Sequence, residues 1–262
     1  MKENRIDITY LGQEGFLFGY NGKTIVIDPY LTDYVDKNCS QLIRWKRKYA
    51  PPIKPTDLHF VDYVFLTHTH YDHADPWTIE GILKVNDKVK FIVPSPEKEV
   101  FISYGIPENR LILAKEREKI VCGEIVAEAV PAAHEEFHRN ENGEYSELGY
   151  IIAFGNIKIY HAGDTLVYDG LADKISNADI AFLPINGRDY YRHKADILGN
   201  PTPEEAVKLA KEAKIKTIVP MHHDLYAVNG EKNSRFVDAL DEIYPTAKFH
   251  IIRSGEKFIF VK

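Results

Sequence analysis

The chain has 262 residues, 44% hydrophobic and 27% charged, a mixture that can bury a sizeable core and excludes a disordered polymer. Lys and Arg total 33 against 39 Asp and Glu, and the formal net charge of -6 excludes the broad cationic field of a non-specific nucleic-acid binder. Two cysteines, and no apolar run near the roughly 18 residues of a membrane span, exclude a disulfide framework and a transmembrane helix, so a soluble, cytoplasmic protein is expected.

Strand patterns open the chain at Ile6–Leu11, Gly15–Phe18 and, after an Asn21-Gly22 turn, Thr24–Asp28. From Pro29 to Leu58 the periodicity lapses, and Pro51, Pro52 and Pro55 close the stretch; a connection this long is functional or mobile. Its basic cluster Arg44-Trp45-Lys46-Arg47-Lys48 reads first as an exposed helix face and second as a cap over the mouth of a site. The apolar run Tyr63-Val64-Phe65-Leu66 reads as a buried strand that delivers the chain into His68-Thr69-His70-Tyr71-Asp72-His73. A helix is expected near Pro76, a strand at Phe91-Ile92-Val93, and another helical stretch after Pro94-Ser95-Pro96. Strands follow at Ile125–Val130, Tyr150–Phe154, Ile157–His161 and Ile180–Ile185. Helix Pro203–Ala213, strand Thr217–Val219, helix Ser234–Ile243 and strands Phe249–Ile252 and Phe258–Phe260 complete the pattern. Ala206, Leu209, Ala210 and Ala213 share one helical face. Two β-rich halves flanked by helices predict an α/β fold in which two sheets pack together under outer helices, an αββα sandwich spanning 1–262 as one domain.

His68 and His70 are two apart on an extended segment, so both side chains point to one side, and Asp72 and His73 follow after a turn. Imidazole and carboxylate without thiolate suit zinc, manganese or iron and leave the ion hard enough to hold water. One loop cannot complete two metal spheres, so further ligands should recur at later strand ends. His134 after Pro131-Ala132-Ala133, the segment His161-Ala162-Gly163-Asp164, and Pro220-Met221-His222-His223-Asp224 all meet that condition.

This HxHxDH signature, the later histidine, the Gly-Asp pair and the Pro-Met-His segment resemble the metallo-β-lactamase superfamily, over about Ile6 to His223. Within it, Asn186-Gly187-Arg188-Asp189-Tyr190-Tyr191-Arg192, Gly199-Asn200 and His222-His223-Asp224 are similar to the L-ascorbate-6-phosphate lactonase-like group. The resemblance implies the four-layer sandwich and two divalent ions, one held by His68, His70 and His134 and one by Asp72, His73 and His222, with Asp164 as bridge. It implies a bridging hydroxide as nucleophile, with Asp72 and Asp164 catalytic and Asp72 able to relay the proton. Asp28, His161, His223 and Asp224 are candidates to fix the ligands' outer atoms. The implied reaction is opening of the lactone ring of a phosphorylated sugar acid, with Arg188 and Arg192 gripping the anion and Asn186, Tyr190 and Tyr191 lining the substrate. The alternatives are a phosphodiesterase for a small cyclic or lipid phosphodiester and, further off, a non-catalytic metal-binding module. The expected partner is a small anionic, phosphorylated substrate, with no nucleic acid and no membrane; a homo-oligomer is compatible.

Overall fold

In a computed structural model, which describes residues 5–39 and 45–262, the first half runs β1 (Arg5–Gly12), β2 (Gly15–Tyr20), β3 (Lys23–Ile27), α1 (Tyr34–Asn38), β4 (Tyr63–Phe65), α2 (Pro76–Val85), β5 (Lys90–Pro94), α3 (Lys98–Ser103) and β6 (Leu111–Ala114). The second half begins with β7 (Lys119–Cys122), β8 (Ile125–Pro131), β9 (Leu148–Phe154), β10 (Ile157–His161), α4 (Leu171–Ile175) and β11 (Ile180–Pro184). It continues with α5 (Tyr190–Lys194), α6 (Pro203–Glu212), β12 (Thr217–Met221), α7 (Asn233–Ile243), β13 (Lys248–Phe249) and β14 (Lys257–Val261). The strands form two seven-stranded sheets, ordered β14-β1-β2-β3-β4-β5-β6 and β13-β12-β11-β10-β9-β8-β7. The expected αββα layering is present, with one exchange between the halves. β14 leaves the second half and pairs antiparallel with β1, Arg5 opposite Val261.

The layers follow from which faces are apolar. Phe16 and Phe18 of β2 meet Phe182 of β11 across the sheets, with ring centroids 4.6 and 5.5 Å apart, and Phe18 also meets Phe154 of β9. Edge-to-face pairs of this kind add about 0.5–1.5 kcal/mol each beyond area burial. β4 is buried on both sides: Phe65 joins this inter-sheet core while Val64 packs with Ile79 and Ile82 of α2, which explains its uninterrupted apolar run. On the other flank Ala206, Leu209 and Ala210 of α6 and Phe236 and Leu240 of α7 cover β11 and β12 through Leu183 and Ile218. α2 starts where it does because Asp75 accepts from the Trp77 N–H and Pro76 occupies the first turn.

Several expected elements differ. The strand expected at Phe249–Ile252 contracts to Lys248–Phe249, where a sheet edge leaves Phe249 and Ile251 exposed. β6, β7, α4 and α5 have four or five residues each, too few for a clear period. The Pro29–Leu58 stretch contains α1 and a 3-10 turn at Pro55–Leu58. Arg44 lies outside the described residues; Trp45 to Lys48 are not helical, so the exposed helix face gives way to a strap. Arg47 forms an isolated β-bridge with Tyr226, its guanidinium donates to the carbonyls of Tyr30 and Thr32, and the Lys48 N–H donates to Leu225 O.

Candidate metal centre

The C-terminal ends of strands from both sheets converge on one crevice, the usual place for sites in α/β folds. The loop after β4 supplies His68, His70, Asp72 and His73; loops after β8, β10 and β12 supply His134, Asp164 and His222. Two glycines make the approach possible. Gly163 has φ +60°, and a Cβ there would lie 2.8 Å from Leu148 O, so only glycine lets the chain turn Asp164 inward. A Cβ at Gly199 would lie 2.9 Å from Gly187 O and collide with the Arg188 side chain, and the tight passage that glycine allows delivers Asn200 to Asp164.

The seven side chains fall into two groups, His68, His70, His134 and Asp164, and Asp72, His73 and His222, each with its donor atoms within 4.8 Å of one another. Asp164 reaches toward both. Its Oδ2 lies 3.5 Å from His134 Nε2 and 3.5 Å from His73 Nε2, while its Oδ1 lies 3.4 Å from His222 Nε2. Asp72 Oδ2 is 3.5 Å from His222 Nε2 and 3.8 Å from His73 Nε2. Donors on one tetrahedral zinc stand about 3.3 Å apart, so this spacing suits ligation. The buried Nε2 atoms of His68 and His73 have no hydrogen-bond partner among the described residues, whereas Nδ1 of each ring is held, by Thr67 Oγ1 at 3.0 Å and Asp28 Oδ2 at 2.9 Å. One nitrogen fixed and the other open is the arrangement a divalent cation uses.

Electrostatics divide the cluster. Burial lowers His68 and His70 and takes His134 down to about 4, so these imidazoles stay neutral with a free lone pair. Burial also pulls on His73 and His222, but the carboxylates of Asp164 and Asp72 overcome it and raise both above the usual histidine value. Burial opposes ionisation of Asp164 and Asp72 as well, and the neighbouring His222 and His73 outweigh it, holding both below the usual carboxylate range.

Of the expected supporting residues, Asp28 is in place: it accepts from the Thr67 N–H and O–H and faces His73 Nδ1. His161 is buried one step back, its Nε2 2.9 Å from Glu14 O and its Nδ1 accepting from the Gly163 N–H. Asp224 does not reach a ligand imidazole; its Oδ1 accepts the hydroxyls of Tyr10 and Tyr49 and ties the strap to the loop after β12. His223 is buried, and its ring hydrogen-bonds no ligand histidine among the described residues.

The expected anion clamp does not assemble. Arg188 makes a two-pronged bond to Glu205 at 2.6 and 2.8 Å, and Glu205 also closes the capping box with Thr202 that starts α6. Arg192 donates to Asn186 O and Gly230 O. Asn186 is buried against Asn229, and Tyr190 and Tyr191 are 67% and 82% exposed. None of these five lines the cavity over the cluster. Three polar residues had no role at the cluster in the sequence analysis, Asn200 having entered only as part of the Gly199-Asn200 pair. Gln13 Nε2 donates to Asp72 Oδ2 at 2.7 Å and lies 2.9 Å from His222 Nε2, Asn200 Nδ2 donates to Asp164 Oδ1 at 2.7 Å, and Glu14 is a fully buried carboxyl 3.6 Å from His73 Nδ1. Burial and the charge of Asp164 raise Glu14 well above the carboxylate range. The strand-end rule that found the histidines also finds Gln13 and Glu14, which follow β1.

The cavity over the cluster holds about 970 Å³. His70, Asp72, His134, Asp164 and His222 line it, with a wall that includes Val35, Trp45, Tyr71, Tyr104, Ile197 and Tyr226.

Residues 7–222 match the family model described as the β-lactamase superfamily domain. The chain belongs to that family. Among relatives of this superfamily chain, a protein of Bacillus cereus (strain AH187) described as a UPF0173 metal-dependent hydrolase is 29% identical over 254 residues, covering 95% of this chain and 97% of the relative. The structure of Igni18, a metallo hydrolase from the archaeon Ignicoccus hospitalis, superposes with a TM-score of 0.71 at 21% identity, over 98% of each chain. An isothiocyanate hydrolase from Delia radicum gut bacteria superposes with a TM-score of 0.73 at 20% identity, over 98% of this chain and 100% of the other. The metallo-β-lactamase sandwich is thus shared, across proteins with different described roles.

Proposed function

We propose that the protein is a metal-dependent hydrolase that cleaves a carboxylic ester bond, a lactone ring in the first instance. The observation that carries this reading is the seven-residue cluster at the cavity floor, with unpaired Nε2 atoms on His68 and His73 whose Nδ1 atoms are held. His68, His70, His134 and Asp164 would hold one ion and Asp72, His73 and His222 the other, with Asp164 between them. Divalent ions bound here supply a water acidic enough to be a nucleophile near pH 7 and polarise the carbonyl. The chain's own residues orient that chemistry. Asp28 and Thr67 fix the faces of His73 and His68, and Asn200 holds one oxygen of Asp164 so that the other faces His134 and His73. Gln13 holds Asp72 Oδ2 and so fixes this carboxylate beside His222 and His73, from where it would relay a proton to the leaving alcohol. The description of the Bacillus cereus relative as a metal-dependent hydrolase supports the class. The phosphorylated sugar acid is set aside as substrate, because the arginines that would bind its phosphate are spent on Glu205 and on carbonyls.

The test is proton release by zinc- or manganese-loaded protein on lactones, phosphorylated lactones and phosphodiesters, with metal-stripped protein as control. Metal-dependent turnover of lactones is expected. Turnover of phosphodiesters alone would overturn the ester assignment.

A further inference from the structure

We propose that the cavity above the cluster selects a neutral ester or lactone carrying an aliphatic or aromatic body, an inference that rests on the hydrolase reading for its scissile group. The cavity's volume of about 970 Å³ sits at the upper end of the roughly 300–1,000 Å³ of sites that bury apolar ligands of drug size. Its wall is built for such a body. Tyr71 and Tyr104 pair with ring centroids 6.3 Å apart, Trp45 and Tyr226 pair at 5.2 Å, and Val35 joins Trp45, Tyr71 and Tyr226 in one apolar cluster.

The charges say the same from the other side. Among the described lining residues Lys194 is the one Lys or Arg, and Asp196 lines the same cavity. Among the described residues the guanidinium groups around the cavity make bonds within the protein: Arg47 to the carbonyls of Tyr30 and Thr32, Arg188 to Glu205, Arg192 to Asn186 O and Gly230 O. Metal ions held by the cluster would address the reacting carbonyl, not the rest of the substrate. Among the described lining residues an anionic body would therefore meet one lysine, the carboxylate of Asp196 and a largely apolar wall. Aliphatic carbon placed against that wall leaves water.

Binding and turnover test the two layers separately. Calorimetry on the metal-loaded protein with neutral n-alkyl amides from butanamide to decanamide should show Kd falling up to about fourfold per added methylene. Trp45→Ala and Tyr104→Ala should flatten that slope, and Trp45→Phe, which keeps an apolar ring, should restore it. A wild-type Kd indifferent to chain length would overturn the proposal without needing any variant, and so would tighter binding of a phosphorylated analogue by the wild type; loss of that binding in Lys194→Ala would place the anion on this lysine. Turnover of p-nitrophenyl esters from acetate to decanoate reads the other layer. Amide binding with the slope but no ester turnover would remove the hydrolase reading and overturn the ester half of the proposal, keeping the apolar selection. Ester turnover with no slope in either series would keep the hydrolase and overturn the apolar selection.

Discussion

The cavity floor and the Asn186–Asn200 loop both concentrate chemically active side chains at strand ends, yet they end in opposite states. At the floor, seven imidazoles and carboxylates leave open nitrogen atoms that no group among the described residues satisfies. In the loop, two arginines are engaged by Glu205, Asn186 O and Gly230 O. A cluster of reactive residue types becomes a site only where the surrounding chain withholds partners. Where partners are available, the same residue types act as struts, and Arg188 with Glu205 fastens the loop to the start of α6.

The sharpest way to break the comparison is at Asp164, which reaches both ligand groups. Asp164→Ala should lower hydrolysis by on the order of 10³-fold or more and reduce metal content, read by steady-state rates and elemental analysis. Full activity would return the cluster to a merely structural role. Next come the residues that hold the ligands: Asp28→Ala and Asn200→Ala should each cost about 10- to 100-fold in metal affinity or activity. An effect on thermal stability alone would make them packing residues.

Acid-base linkage gives a smaller, graded effect. In the metal-free protein His73 and His222 bind protons more tightly than an ordinary histidine, so a metal ion must displace protons to reach them. Loading should acidify a weakly buffered solution, and apparent affinity should rise as pH rises by about tenfold per unit for each proton released. His134, held neutral down to about 4, should contribute no proton near pH 7. Loading without proton release would place the metal elsewhere.

The smallest effects belong to the loop. Arg192→Ala leaves two carbonyls without their donor and should cost about 1–3 kcal/mol of stability. Arg188→Ala breaks an ion pair whose side chains are 45% and 36% exposed and should cost about 1 kcal/mol or less. Neither should raise KM for anionic substrates selectively. A selective rise would restore the anion clamp and close the gap between the two regions.

Much of this was legible before any coordinates. Hydrophobic period and turn residues located the long strands and the helices α2, α6 and α7, because those elements bury one stripe or both faces and the pattern must repeat. The seven candidate ligands were legible because ligand chemistry restricts them to a few residue types and the fold places them at strand ends. Short edge elements such as β6 and β7 were not legible, since four residues carry no reliable period. Neither was the return of β14 to β1, which depends on pairing across the whole chain.

The fate of each charge lay furthest beyond the sequence. Arg188 and Arg192 look identical in sequence whether they bind a phosphate or a neighbouring carboxylate, and only the packing of α6 and of the turn at Gly230 decided for the latter. Gln13 and Asn200 came to hold Asp72 and Asp164 in the same way, from 59 and 36 residues away along the chain. The sequence by itself determined which chemistry the chain carries, because composition and local period are properties of neighbours in order. The tertiary structure decided which groups remain unpartnered, because hydrogen-bond satisfaction is a property of neighbours in space.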